Sequence, residues 1–314
     1  MDKRWLKAAH RLGIALLFCP SVVLNAAELE APFVDTGYFL YRTAIDPMSG
    51  QVVQEQSFRF EVGIGGGHQI GLTGHEGGLF LGLEILTERR TYLIFDLSNI
   101  DGQVTQAILR IWGWGPNPVI GGSGVYASAD VEETYRIYQV DSHDPATILN
   151  APFNDVQNHT LDKPIWQDLG DGAIYGARSF TSADNLPPGF MPSPTSTDPN
   201  LDCSDPLNGP CGRWYDIALN GAALEELSQT GGQIIFGGAL DFTNAVGGQL
   251  FGGNWSDLPP SSSLHPDWIT PAPQLILTTR PAGGVDVPIP LWAGLSLAFV
   301  LGGMARRQLG RRSV

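Results

Sequence analysis

The stretch TYLIFDLSNIDGQVTQAILRIWGW, residues 91–114, has the most regular pattern in the chain. Its first half alternates two sets of side chains, with Tyr92, Ile94 and Asp96 on one face and Leu93, Phe95 and Leu97 on the other. Its second half sets Ala107, Leu109 and Ile111 against Ile108, Arg110, Trp112 and Trp114. A period of two residues predicts half-buried strands, and residues 99–102 have the chemistry of a turn. The stretch therefore predicts a strand, a turn and a strand at the core of the fold.

Further strands are predicted on both sides of this unit. They are residues 36–43, residues 57–64, the run GLFLGLEIL at residues 78–86, residues 234–240, and an edge-tolerant final strand at residues 273–277. Residues 65–75 are expected to form a flexible loop, and residues 222–227 a short helix. The 39 glycines and 23 prolines suit short strands joined by tight turns. We expect a mainly β fold, an antiparallel, jelly-roll-like β-sandwich with one short helix, whose first strands lie in residues 27–90 and whose core lies in residues 91–280.

The N-terminus has the pattern of a secretory signal peptide. A basic segment comes first, with Lys3, Arg4, Lys7 and Arg11, and an apolar run at residues 14–24 follows it. Small residues at 25–27 offer a cleavage site, so residues 1–26 are predicted to be a signal peptide and are excluded from the fold. Cys19 lies in the apolar run and is expected to be lost on cleavage.

The C-terminus, residues 281–314, has three parts in a fixed order. Val287, Pro288, Ile289 and Pro290 come first, the apolar run of residues 291–305 follows, and the last part is the cluster Arg306, Arg307, Arg311 and Arg312. Counted from Val285, the apolar run reaches the ~20 residues that a membrane helix needs. Arginines beyond such a helix stay in the cytoplasm. The segment therefore predicts a single transmembrane helix with the body of the protein outside.

The charge between these two ends is strongly acidic. The whole chain of 314 residues has a formal charge of -14, from 18 Lys and Arg and 32 Asp and Glu. Residues 27–305 hold ten of the basic residues and 31 of the acidic ones, a net charge of -21. Such a surface repels nucleic acid and anionic lipid. We therefore expect no nucleic-acid partner.

Two cysteines, Cys203 and Cys211, remain after signal cleavage. A close pair in an exported protein favours one disulfide that closes a small loop. Zinc is the alternative, but two cysteines without neighbouring histidines are too few ligands. We expect a Cα–Cα distance within about 7 Å.

The tail resembles the PEP-CTERM sorting signals that exosortases recognise in Gram-negative bacteria. The resemblance rests on Val287, Pro288 and Pro290, on Trp292 after the second proline, and on the arginine cluster; Ile289 stands where the family usually has glutamate. It implies an exosortase-like enzyme as partner. It also implies a precursor anchored in the inner membrane and a mature protein at the cell surface or in the extracellular matrix.

The body, over residues 91–279, resembles DNRLRE-type jelly-roll domains found in PEP-CTERM cargo proteins. The matching motifs are the FDLS strand, the VTQAILR strand, Glu133-Thr134-Tyr135, residues 168–176, residues 217–220 and the final strand. The resemblance implies a fold and an export route. It implies no shared catalytic residues.

Two groups of residues are candidate binding sites. The loop of residues 185–208 has part of the spacing of a calcium loop, at Asp198, Asn200, Asp202 and Asp205. A solvated acidic turn is the alternative. If the loop binds a cofactor, that cofactor is a structural Ca2+. Trp112, Trp114 and Trp255 are candidate platforms for stacking sugar rings, which would make an exopolysaccharide a partner. Burial of the tryptophans beneath a loop or a second layer is the alternative, and it is the one that we favour.

Candidates for catalysis are few. Asp130, Glu132 and Glu133 lie close in sequence, but adjacent residues 132 and 133 of a strand point to opposite faces. His143 and Asp144 precede a proline and indicate a surface turn. No nucleophile elbow, phosphate loop or zinc-protease motif is present. We expect a non-enzymatic exported envelope or matrix protein, with a carbohydrate-binding module as the alternative and a glycan-cleaving enzyme as the third reading.

Overall fold

The computed structural model describes residues 26–61, 73–116, 124–151 apart from Ala129, 163–204 apart from Thr195 and Thr197, 211–240, 249–250 and 271–281. The chain from Ala26 to Arg280 forms one compact unit. The predicted signal peptide, nearly all of the predicted tail, Asp205 and Trp255 lie outside the described residues.

Two antiparallel sheets make up the fold. Sheet A contains β1 (Ala27–Ala31), β14 (Gln274–Arg280), β6 (Gln103–Trp114), β11 (Cys211–Ala218) and β10 (Met191–Pro192), in that order. Sheet B contains β2 (Phe33–Ile45), β3 (Val52–Glu61), β4 (Thr73–Phe80), β5 (Leu83–Asp96), β7 (Tyr126–Ala127), β8 (Glu132–Gln139), β9 (Ile174–Thr181), β12 (Gln233–Leu240) and β13 (Gln249–Leu250). Its main path is β7-β13-β4-β5-β12-β8-β9, and β2 pairs with both β5 and β3.

The main core lies between the two sheets. Leu93 and Phe95 of β5 are fully buried and belong to one cluster with Leu109 and Ile111 of β6. Tyr92 and Ile94, on the opposite face of β5, belong to a separate cluster. The alternation predicted for residues 91–114 is therefore confirmed, because each strand turns one set of side chains into the space between the sheets.

The strand, turn and strand unit connects the two sheets. Its first strand, β5, pairs with β2, β4 and β12, whereas β6 pairs with β14 and β11. The turn between them includes Gly102, whose φ of 100° favours glycine, and Ile100 packs against the core. The central unit is thus an arch over one end of the sandwich and not a hairpin.

Two of the four described helices cover the other face of sheet B. The described helices are α1 (Pro145–Leu149), α2 (Lys163–Asp171), α3 (Gly221–Gln229) and a 3-10 helix at Ser182–Asn185. Ile148 of α1 and Trp166 of α2 pack in the cluster that contains Tyr92. The prediction of residues 222–227 as a helix is confirmed. The expectation of a single helix is wrong, because the outer face of sheet B is apolar and needs its own cover.

A buried arginine ties β3 to this helical layer. Arg59 is 1% exposed, and it donates hydrogen bonds to the Tyr92 hydroxyl and to the Leu149 carbonyl oxygen. Asp35 accepts a further bond at 3.5 Å. Burial raises the pKa of the Tyr92 hydroxyl. The middle of β3 is therefore held against the helical layer, because the buried Arg59 side chain is hydrogen-bonded there.

Two strand predictions and one loop prediction need correction. The run GLFLGLEIL is a hairpin and not one strand, because β4 ends at Phe80 and β5 begins at Leu83 after a turn at residues 81–82. Residues 73–75 belong to β4 and not to a loop. The final strand β14 lies between β1 and β6, so it is not at the edge of its sheet.

The predicted boundary at residue 90 falls inside a strand. Strand β5 runs across it, and β2 pairs with β5 over most of its length. The first strands and the core therefore belong to one sheet. Within the described residues, no helix has the length and apolar character needed to cross a membrane.

Candidate functional site

The strand register gives the sandwich two distinct ends. In sheet A, Ala27 is opposite Thr279, and Gln103 at the start of β6 is opposite Arg280. We call this the tail-side end, because the chain continues from Arg280 into the predicted tail. At the opposite end, Trp114 finishes β6 opposite Gly212. We call that the distal end.

The distal end also contains the tips of the long hairpins. Strand β5 begins there and reaches the tail-side end at Asp96, about 43 Å away at ~3.3 Å per residue. Ile45 of β2 is opposite Val52 and Glu84, so the β2–β3 and β4–β5 turns lie side by side. The loop that carries Cys203 and the candidate calcium residues joins β10 to β11 at this end as well.

The disulfide prediction is confirmed at the distal end. Cys203 and Cys211 are bonded, with a Cα–Cα distance of 5.7 Å. Both sulfur-bearing side chains are buried with Phe190 and, in part, Leu201. Since Cys211 is the first residue of β11, the bond attaches the acidic loop to the end of sheet A.

Asp184 is the centre of a polar network beside this loop. Arg213 donates to the Asp184 carbonyl oxygen at 2.7 Å and to its carboxylate at 3.2 Å. The Tyr215 hydroxyl donates to the same carbonyl oxygen at 2.8 Å, and the Thr181 N–H donates to the carboxylate at 2.9 Å. Burial raises the pKa of Tyr215 to about 12. The network was not predicted, although the Thr-x-x-Asp spacing at 181–184 is a capping-box signal.

The tryptophan platform is not exposed. Trp112 is 1% and Trp114 7% exposed, and their rings meet edge to face at 5.8 Å. Trp112 also contacts Trp214 of β11 at 5.2 Å. Trp112 and Trp114 therefore do not present open ring faces, and the expectation that they are buried is confirmed for both. Tryptophan side chains are highly buried on average in folded proteins.

A partly exposed group lies next to these rings on the outer face of sheet A. Arg110 binds the Asp216 carboxylate through two hydrogen bonds, at 2.8 and 3.1 Å. That hydrogen bonding raises the pKa of Arg110. Trp214 is half-buried on the same face of β11, two residues before Asp216. An aromatic ring and hydrogen-bonding groups therefore share an accessible sheet face here.

In the described part of the calcium loop, two carboxylates accept hydrogen bonds from nearby backbone N–H groups. Asp198 accepts a hydrogen bond from the Asn200 N–H, and Asp202 accepts one from the Ser204 N–H. Both contacts are local turns, and the bond from Ser204 lowers the pKa of Asp202. Among the described residues, no three acidic, histidine or cysteine side chains are grouped so that they could hold a metal ion.

The neighbouring carboxylates Glu132 and Glu133 point to opposite faces, as predicted. Glu132 is exposed, whereas Glu133 is 7% exposed and accepts a hydrogen bond from the Ser128 hydroxyl at 2.5 Å. Burial raises the pKa of Glu133. The arrangement does not form an acid and base pair, because the two side chains are separated by the sheet.

His143 is paired with Asp168 and not with the adjacent Asp144. The His143 Nδ1 lies 2.8 Å from the Asp168 carboxylate, which also accepts from the Ser142 N–H. Asp144 instead caps α1 by accepting from the Thr147 N–H at 2.6 Å. The contact between His143 and Asp168 attaches the start of α1 to α2.

Exposed apolar side chains are concentrated at the distal end. Nine large apolar residues are exposed among those described, and seven of them lie there, namely Met48, Val52, Val53, Leu81, Val131, Leu186 and Met191. Leu29 and Ile174 are the two elsewhere. This asymmetry was not predicted, because periodicity says which residues share a face and not which ends of strands remain uncovered.

Comparison with known proteins gives neither a matching family nor a matching curated protein. The arguments that follow rest on the residues and the geometry of this chain.

Proposed function

We propose that the chain is a non-enzymatic exported protein of the cell envelope or extracellular matrix, sorted by an exosortase-like enzyme through its C-terminal tail. A signal peptide at residues 1–26, a body of jelly-roll type and a single C-terminal transmembrane helix are parts of this proposal. Recognition is assigned to Val287, Pro288, Pro290 and Trp292. Topology is assigned to Arg306, Arg307, Arg311 and Arg312.

The observation that supports the proposal is the pairing of the first strand with the last. Ala27, next to the predicted cleavage site, is opposite Thr279, and the predicted tail starts directly after Arg280. Both predicted membrane-associated segments therefore leave the folded body at neighbouring points of one sheet. Such an arrangement suits a precursor that is anchored first and released later.

The chemistry of the body agrees with a binding or structural role. Several of the described acidic side chains are used in caps, turns and ion pairs, as with Asp144, Asp184 and Asp216. A net charge of -21 on residues 27–305 keeps such a surface soluble and away from anionic lipid.

The test uses the full chain in a Gram-negative host that contains an exosortase. In the first variant, the four tail arginines are changed to Gln, and the precursor should escape membrane retention because its topology signal is gone. In the second, Pro288→Ala and Pro290→Ala should leave the precursor in the membrane without maturation. Arg110→Gln, a charge change on the body, is the matched control.

Fractionation and mass spectrometry of the mature ends measure the result. We expect an N-terminus near Ala27 and a C-terminus within the tail. Unchanged retention and maturation in the arginine variant would overturn the proposal.

Carbohydrate binding is the second candidate function. It is favoured by the half-buried Trp214 ring beside the Arg110–Asp216 pair, since sugar sites combine an apolar face with a polar rim. Retardation in gels that contain the host's exopolysaccharide tests it. Trp214→Ala should abolish retardation and Met48→Ala should not; no retardation of the wild-type protein would remove this candidate.

A further inference from the structure

The side chains on the outer face of sheet A form rows that run across the strands. Neighbouring strands pair residue by residue, and successive outward positions on one strand are two residues apart. From the distal end inward the rows are aromatic, polar and aliphatic, namely Trp214 with Trp112, Asp216 with Arg110 and Gln274, and Ala218 with Ile108 and Ile276. We call the middle one the polar row. It lies between two apolar margins.

The polar row is accessible and continues over four strands. The Arg110 and Asp216 side chains are 35% and 45% exposed. On the other side of Arg110, the Gln274 Nε2 donates to the Glu30 carboxylate of β1 at 3.5 Å. Neighbouring strands are ~4.8 Å apart, so four strands give the row a length of about 14 Å. It is long enough to contact more than one unit of an extended polymer.

The charge of this face is negative. Asp216 matches the one guanidinium of the polar row, and Glu28 and Glu30 of β1 add two exposed carboxylates. The hydrogen bond to Asp216 raises the pKa of Arg110, and the charges of Glu28 and Glu30 add to this effect, so both act on the row. Arg280 is at the tail-side end of β14, away from the row. The face therefore repels anionic polymers and attracts cationic groups.

The carboxylates of the row have acceptor capacity for a ligand. A carboxylate has about four acceptor positions, whereas Asp216 accepts two hydrogen bonds from Arg110 and Glu30 accepts one from Gln274. Hydrogen bonds from an ammonium group to a carboxylate are stronger than those from a neutral hydroxyl. The half-buried Trp214 at the margin offers an indole ring, which attracts cations as well as apolar sugar faces. These groups together match a sugar that carries an ammonium group.

We propose that the outer face of sheet A binds a polysaccharide of amino sugars whose amino groups are at least partly free. Its ammonium groups lie along the carboxylates of the polar row, and a sugar ring packs against Trp214. The inference rests on carbohydrate binding, the second candidate function, and names its ligand class. A neutral polysaccharide has only ring contacts and hydroxyl groups to offer, so it binds more weakly. A polyuronate is repelled by the same carboxylates.

Binding of the full chain to beads that carry one defined polymer tests the ligand class. The four polymers are partly deacetylated chitosan, fully acetylated chitin, alginate and polylysine, compared at mildly acidic pH and equal salt. We expect binding to chitosan and about tenfold weaker binding to chitin, because chitin lacks the charge-assisted hydrogen bonds. Alginate should not bind. Polylysine has the charge without the sugar ring and should bind more weakly than chitosan.

Two double variants with the same change in net charge separate this face from the overall acidity of the protein. Glu28→Gln with Glu30→Gln should weaken chitosan binding about tenfold and leave chitin binding unchanged. Glu132→Gln with Glu225→Gln removes two exposed carboxylates elsewhere and should change neither. Trp214→Ala should weaken binding to both sugar polymers, because both use the ring contact.

Equal losses in the two double variants, or polylysine bound as tightly as chitosan, would trace binding to charge alone and overturn the proposal. Chitin or alginate bound as tightly as chitosan, with loss in Trp214→Ala, would overturn the ligand class and leave carbohydrate binding standing. If none of the four polymers binds, the proposal fails. Carbohydrate binding then fails with it only if the host's exopolysaccharide does not retard the protein either. Membrane retention and maturation do not enter this measurement, so the sorting proposal is tested separately.

Discussion

Glu28 lies opposite Thr278 in the antiparallel pair that joins β1 to β14. The first strand after the predicted cleavage site and the last strand before the predicted tail are therefore neighbours. Both side chains are on the outer face of sheet A, because the inner positions of β14 are taken by Leu275 and Leu277. This relationship supports the proposed sorting route, and it can be measured directly.

Glu28→Cys combined with Thr278→Cys should form an intramolecular disulfide. Paired Cα atoms lie ~5 Å apart, which a disulfide can bridge. Peptide mapping without reductant detects the bond, and the native cysteines do not compete because they are already joined. Glu28→Cys with Gln274→Cys is the control, since Gln274 is four residues farther along β14 and should stay unbonded. Bonding in the control alone would show a different register.

Local pattern predicted which residues share a face, but not which strands pair. The alternation in residues 91–114 correctly separates Leu93 and Phe95 from Tyr92 and Ile94. The same pattern is silent on the partner strand, because both faces of sheet B are apolar. A tight turn between two strands fits a hairpin and an arch equally well. The arch is determined by tertiary packing and could not be predicted from the local pattern.

The turn inside the apolar run of residues 78–86 was also not predicted from the sequence. Leu81 and Gly82 form the tip of the β4–β5 hairpin, yet the run around them is apolar and reads as one strand. Leu81 has a φ of 51° and is 88% exposed. The disulfide between Cys203 and Cys211 could be predicted, because a short loop keeps its two ends close together whatever the rest of the chain does.

Replacing Cys203 and Cys211 together by Ala should lower the free energy of unfolding by about 2–3 kcal/mol, the value expected for so short a loop. The loss arises because the unfolded chain regains the entropy of the open loop. Urea unfolding monitored by tryptophan fluorescence measures it. The reduced wild-type protein should show the same loss, and an unchanged midpoint in both would contradict the prediction.

Trp112→Ala should lower the free energy of unfolding by about 3–5 kcal/mol, the usual cost of truncating a buried aromatic side chain. Trp214→Ala should cost less, because Trp214 is only half-buried. Chemical unfolding of both variants tests the order. If Trp112→Ala unfolded like the wild-type protein, the ring would not be buried. Loss of sugar binding in Trp112→Ala would thus report altered packing, and Trp214→Ala is the proper probe.

The stability of the fold should depend on pH through Glu133. Burial raises the pKa of this carboxyl in the folded protein, whereas the unfolded chain keeps the ordinary pKa. As pH rises through the interval between the two values, the folded state holds more protons than the unfolded state, so the free energy of unfolding falls. Below the ordinary pKa the effect is absent, because both states are protonated.

Glu133→Gln removes this titration and retains an oxygen that accepts from the Ser128 hydroxyl. The free energy of unfolding of the variant, relative to the wild-type protein, should therefore increase as pH rises from the ordinary glutamate pKa of about 4.3 through the raised pKa of the folded carboxyl. Glu132→Gln is the matched control, since it removes the same charge from an adjacent exposed position. Urea unfolding of all three proteins across this range provides the measurement. An identical pH dependence in both variants would trace the effect to net charge, whereas a rise confined to Glu133→Gln would assign it to the buried carboxyl.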